Sequence, residues 1–79
     1  MRNKKIIEIM KDLDECNSLQ PPDYLHSIDT VRLVVLKQGI DTLTRFDNEM
    51  LELQDERSIG ALTAKDWCIA LIRAAGMYE

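Results

Sequence analysis

The 79-residue chain has few of the residues that mark several common protein classes. It contains three glycines, two prolines and two cysteines, and aromatic residues make up 5% of it. This composition argues against low-complexity disorder, a collagen repeat and a disulfide-stapled scaffold. It also leaves no apolar run long enough to predict a membrane span. We expect no secretory leader, because Glu8 interrupts the short apolar run that follows the basic start.

Acidic residues outnumber basic ones, with 14 Asp and Glu against 10 Lys and Arg, for a formal charge of −4. The sequence pI is about 4.9. The basic residues are scattered rather than gathered into a stripe, which is the pattern that phosphate contacts require. We therefore expect no nucleic-acid partner. A small DNA-binding regulator is kept only as an alternative.

The length of the chain limits how much apolar surface it can bury. We expect one helical domain over residues 1–79, and chains of this size bury only about 60% of their unfolded surface. Cys16 and Cys68 do not form a disulfide framework, so we expect free thiols in a reducing, cytoplasmic compartment. With His26 they make no metal-ligand pattern either. Binding to another chain is the remaining source of extra burial.

Helical spacing of apolar residues begins near the start of the chain. A first helix is predicted from about Asn3 to Cys16. Its apolar face comprises Ile6, Ile9, Met10, Leu13 and Cys16. A second helix is expected to start either at Pro22, where proline suits the first helical turn, or after Ser27 as N-cap.

In the middle of the chain, positions that share one helix face recur in a pattern with a period of eleven residues, which is close to three helical turns. The repeating positions are Tyr24, Ile28, Val31, Val35, Gly39, Thr42, Phe46, Met50 and Leu53. We favour one helix of nearly thirty residues from about Ser27 to Glu56, because a break would normally shift the eleven-residue pattern out of register. The alternative is a break at Gly39. A strand over residues 31–36, paired across a dimer, is a third interpretation.

A last helix is predicted from Thr63, since Thr63 and Asp66 have the spacing of a capping box. Gly76 is the expected C-terminal stop. The stretch between them is apolar nearly all round, with Arg73 as its one charge after the first turn. Such a helix takes a central position, and in so short a chain we expect a partner subunit to cover part of it.

These patterns predict an all-α fold, a small three- to four-helix bundle with a long central helix. We expect a homodimer formed through the middle or last helix. The predicted oligomer-interface residues are Val35, Gly39, Thr42, Phe46, Trp67, Leu71, Ala74 and Tyr78.

Few residues point to catalysis. His26 is the single histidine, and neither cysteine is accompanied by a third residue that would orient a nucleophile. Glu49 and Glu52 lie on one helix face. This four-residue pattern resembles the glutamate-rich helices that hold magnesium in nucleotide pyrophosphatases of the MazG type. That resemblance implies a metal-dependent hydrolase assembled across a dimer, but the last helix supplies only Asp66 as a matching acid.

The function we expect is protein–protein interaction by a small acidic regulator, inhibitor or assembly subunit, without enzymatic activity, cofactor, metal or membrane contact. Small acidic helical proteins of bacteria and phages often act by blocking or bridging a larger partner, an analogy at the level of fold. The first candidate surface is the acidic stripe of Glu49, Glu52, Asp55 and Glu56. The second comprises Asp12, Asp14 and Glu15.

Overall fold

A computed structural model describes residues 2–16, 19–56 and 61–78 of the chain as an all-helical fold. The helices are α1 (Asn3–Asp14), α2 (Ile28–Leu36), α3 (Ile40–Glu56) and α4 (Ala64–Ala74). Within these residues there is no strand, so the strand interpretation of residues 31–36 is wrong. No helix in the described part is long and apolar enough to cross a membrane. The connection residues Asn17, Ser58 and Gly60 lie outside the described residues.

The centre of the fold is α4, which packs against α1, α2 and α3. Its buried residues are Ala64, Cys68, Ala70, Leu71, Ile72 and Ala74. Three helices of the same chain pack on α4 and bury these residues. Leu71 and Ala74, predicted at an oligomer interface, are instead 0% and 1% exposed inside the core.

Local sequence defines both ends of α4. The Thr63 hydroxyl accepts a hydrogen bond from the Asp66 backbone N–H at 3.2 Å, and the Thr63 N–H donates to the Asp66 carboxylate at 3.0 Å. This confirms the predicted capping box. At the other end Gly76 has φ +75°, a left-handed conformation that glycine adopts without strain. The Met77 N–H then reaches the Ile72 carbonyl at 3.0 Å, which closes the helix.

The middle of the chain forms two helices, and the predicted continuous helix is wrong. Ser27 is the N-cap of α2 and accepts from the Thr30 N–H at 3.3 Å. At its end, the Gln38 N–H bonds to Val35 rather than Val34, while the Gln38 side-chain amide donates to the Val34 carbonyl at 2.9 Å. The side chain thus takes the place of the next helical hydrogen bond.

The same Gln38 amide also donates to the Leu13 carbonyl of α1 at 3.1 Å, so this helix end is held by a contact distant in sequence. A new helix begins directly afterwards, with the Gly39 carbonyl accepting from the Leu43 N–H at 3.0 Å. Gly39 therefore opens α3. A continuous helix of about 45 Å would also exceed the 36 Å long axis of the molecule.

The eleven-residue pattern nevertheless identifies the inward faces correctly. Val31 and Val35 of α2 are buried, as are Phe46 and Met50 of α3. The pattern survives the break because both helices pack on α4, and each must turn its apolar side toward it. Periodicity therefore predicted the faces without predicting the turn.

Asp14 fastens the end of α1 to the rest of the fold. Its carboxylate, with the side chain 12% exposed, accepts from the Tyr24 hydroxyl at 2.8 Å and from the Lys37 ammonium at 2.5 Å. Burial alone would raise the pKa of Asp14, but the hydrogen bonds from Lys37 and Tyr24 outweigh it and hold the pKa below its usual value. The Tyr24 carbonyl in turn accepts from the buried Cys68 thiol at 3.1 Å. A chain of contacts thus joins α1, α2 and α4.

Replacing Asp14 by Asn should lower the free energy of unfolding by about 1 kcal/mol at pH 7, because charge-assisted hydrogen bonds become neutral ones. The folded-state pKa of Asp14 lies below its unfolded value, so its contribution is present above about pH 4 and is lost as the pH falls through the folded pKa. Urea unfolding of both proteins should therefore show a difference that shrinks below about pH 4. A difference that stays constant with pH would contradict this role.

Candidate functional site

A groove of about 770 Å³ lies between α2 and α3. Both helices pack on α4 more than on each other, which leaves space between them. The lining residues are Asp29, Arg32, Leu33, Val35 and Leu36 of α2, Phe46, Asp47, Met50 and Gln54 of α3, and Trp67 of α4. We call this site the α2–α3 groove.

The floor and one wall of the α2–α3 groove differ in burial. Val35, Phe46 and Met50 are at most 8% exposed and form its floor. Leu33 and Leu36 are 63% and 74% exposed and protrude from the α2 wall. Single exposed leucines are ordinary on protein surfaces, but two beside an apolar groove make a contiguous patch typical of an interaction site.

Trp67 gives the groove an aromatic centre. It is half-buried, and its ring lies 5.9 Å from that of Phe46 at an interplanar angle of 49°. The Arg32 guanidinium lies 5.9 Å from the Trp67 ring centroid, within cation–π distance. Tryptophan and arginine are the residue types that most often dominate binding energy at protein interfaces.

Charged side chains stand on both walls of the groove, of both signs on α2 and acidic on α3. Arg32 extends from the α2 wall, where Asp29 is a weak partner at 3.8 Å, and Asp47 stands exposed on the α3 wall. The Arg32 and Asp29 side chains are largely exposed. The site is thus an apolar trough whose charged rim can orient whatever enters it.

The structure places the predicted interface residues in different parts of the molecule. Val35, Phe46 and Trp67 come together in the α2–α3 groove. Gly39 is exposed and has open space where a side chain would begin, and Thr42 is half-buried. Tyr78 lies apart from the groove, 39% exposed, with the Arg73 guanidinium 4.6 Å from its ring centroid.

Sequence reasoning missed Leu33 and Leu36. The eleven-residue pattern places both in the long middle helix, where Leu36 only widens the apolar face. The signal was available in α2, because Val31, Val34 and Val35 already complete the buried face of a nine-residue helix. Leu33 and Leu36 fall outside that face at 100° per residue and therefore point away from the core.

The predicted acidic stripe is only partly free. Glu49 is half-buried and lies 4.0 Å from the Arg73 guanidinium, whereas Glu52 and Asp55 are exposed. Glu49 and Glu52 line a smaller cavity of about 300 Å³ together with Asp66. The side chain of Glu56 lies outside the described residues.

The acidic residues at the end of α1 also differ among themselves. Asp12 and Glu15 are exposed, and Glu15 is the helix C-cap with φ 55°. Asp14 is engaged by Tyr24 and Lys37, so its carboxylate serves the fold and is not free to meet a partner.

The described residues offer little to covalent or metal chemistry. No three His, Cys, Asp or Glu side chains among them are placed to hold a metal ion. The Cys68 thiol is fully buried, and burial raises its pKa to about 12, which disfavours a thiolate. His26 is exposed and pairs with Asp23 at 2.9 Å. The Cys68 thiol and the His26 ring therefore have separate partners, the Tyr24 carbonyl and the Asp23 carboxylate.

The arrangement as a whole suits binding, since the α2–α3 groove combines an apolar floor, protruding leucines and a charged rim. Comparison with protein families, with curated proteins and with solved structures finds no match to this chain.

The two cysteines should differ sharply in reactivity, because Cys16 is half-buried while Cys68 is fully buried with a raised pKa. With a thiol reagent in excess at pH 8, the native protein should label once quickly and a second time only on unfolding. Cys16→Ser should abolish the fast phase and Cys68→Ala should leave it intact, as followed by mass spectrometry. Equal labelling rates for both thiols would show that α4 is not covered as described.

Proposed function

We propose that this chain is a small protein-interaction module that acts by binding other protein chains, as a regulator, an inhibitor or an assembly subunit. The observation that carries the proposal is the α2–α3 groove, in which Trp67 and Arg32 lie beside the exposed Leu33 and Leu36. Apolar anchors, an aromatic ring and arginine at one concave site are the composition of an interface centre.

The size of the chain supports the same proposal. With α4 covered by its own chain, one apolar surface still open to burial is the outer side of α2, where Leu33 and Leu36 are exposed. Covering Leu33 and Leu36 with another chain would remove apolar area from water, at about 25 cal/mol per Å² before the costs of association. A chain of this size with a marginal core gains stability from such binding.

The exposed acids Glu52 and Asp55 of α3 provide a second contact surface in this proposal, suited to a basic patch on a larger partner. Glu49 contributes less, since it is half-buried near Arg73. We place the module in the cytoplasm, because both cysteines are free and a reducing compartment keeps them so.

Partner capture tests the proposal directly. The tagged chain is incubated with a lysate of its native host, and captured proteins are quantified by mass spectrometry. We expect Leu33→Asn combined with Leu36→Asn to remove the partners that use the groove. Glu52→Lys combined with Asp55→Lys should remove those that need the acidic surface. Leu19→Asn is the matched control, because Leu19 is 99% exposed and lies outside the groove lining.

All four proteins should have the same circular dichroism spectrum, since every changed side chain is exposed. Identical capture by all of them would refute the use of both surfaces. The rival function is the metal-dependent hydrolase, favoured by the shared cavity of Glu49, Glu52 and Asp66. A rise in melting temperature with millimolar magnesium or manganese, reversed by Glu49→Gln, would support that rival instead.

A further inference from the structure

Building on the proposed function, we infer that the occupant of the α2–α3 groove is a second copy of this chain. The two copies form a two-fold dimer in which α2 of each lies against the groove of the other. The inference deepens the proposal by naming the first partner of the site, and it leaves the acidic surface of α3 open to a different protein.

The shape of the site supports a second copy. A two-fold interface uses the same patch on both subunits, so that patch must contain both the projection and the depression it fills. Leu33 and Leu36 project from the α2 wall, and Val35, Phe46 and Met50 form the depression beside them. One patch therefore holds both halves of an apolar contact.

The charges at the rim are self-complementary in the same sense. Arg32 lies on the α2 wall of the groove and Asp47 on the α3 wall. When α2 of one copy enters the groove of the other, its Arg32 approaches Asp47 of the second copy, and symmetry repeats the pair. Among the described residues, Arg32 forms a long ion pair with Asp29 at 3.8 Å and lies 5.9 Å from the Trp67 ring centroid. In the dimer, Arg32 would exchange its long contact with Asp29 for one with Asp47 of the second copy.

The molecule has enough surface to form a stable interface of this kind. A stable interface buries about 800 Å² per partner, roughly one seventh of the 5290 Å² surface of this chain. The molecule measures 36 × 25 × 24 Å, so one broad face is sufficient. Leu36 and Ile40, at the two ends of the α2–α3 turn, are 74% and 80% exposed.

Charge reversal with mixing tests this inference. Arg32→Glu places two acids opposite each other in the dimer, and Asp47→Lys places two bases opposite each other. Each variant alone should associate about tenfold more weakly than the wild type in sedimentation equilibrium. An equimolar mixture should form a heterodimer, because each reversed charge then meets its complement. Arg45→Glu is the control, since Arg45 is exposed outside the groove lining and should leave the dimer unchanged.

The mixing result depends on contacts between chains, so a folding defect in either variant cannot produce it. A wild type that is monomeric at several hundred micromolar would overturn the inference, and so would single variants that dimerise normally or a mixture that fails to associate. If the wild type is monomeric while the groove variants still lose capture of a different protein, the inference fails and the proposed function stands. If neither self-association nor groove-dependent capture is seen, the inference fails and the groove no longer supports the proposed function.

Discussion

The burial of α4 is the constraint on which the rest of the structure depends. This helix is apolar on most of its circumference, and α1, α2 and α3 pack around it and remove its buried face from water. The other helices are placed by their contact with α4. The Asp14–Tyr24–Lys37 hydrogen bonds and the Cys68 thiol then tie their ends together.

The α2–α3 groove follows from that constraint. Since α2 and α3 are both committed to α4, they lie side by side on it without closing the space between them, and Trp67 of α4 is reached through the gap. In the part of the chain that the structure describes, no helix covers the outer side of α2, and Leu33 and Leu36 are exposed. Because the other helices pack on α4, an apolar patch of α2 is left in contact with solvent.

The sequence predicts well those features that depend on residues close together in the chain. The Thr63–Asp66 capping box, the stop at Gly76 and the span of α1 depend on residues within one or two turns, and the structure confirms them within two residues. The break after α2 depends on Gln38 reaching Leu13, a contact 25 residues away that no helical periodicity records. The inward faces were predictable, because an apolar stripe must meet the core whether or not the helix is continuous.

The candidate site was predictable only in part, for the same reason. Val35, Phe46 and Trp67 were identified as surface for another chain, but the length and direction of α2 decide that Leu33 and Leu36 stand beside them. The burial of Leu71 and Ala74 followed from the position of three other helices, which the local pattern of α4 does not contain. Contacts that depend on the turn between α2 and α3 could therefore be identified only in the structure.

Amide hydrogen exchange at two protein concentrations, one above and one below the dissociation constant of the proposed dimer, tests the central claim most directly. The claim is that the chain buries α4 by itself and leaves the α2–α3 groove for a second chain. It predicts that α4 amides are equally protected at both concentrations, while those of α2 and the first half of α3 lose protection on dilution. Protection of α4 that falls on dilution while α2 stays unchanged would contradict it, because α4 would then be the surface that the second chain covers.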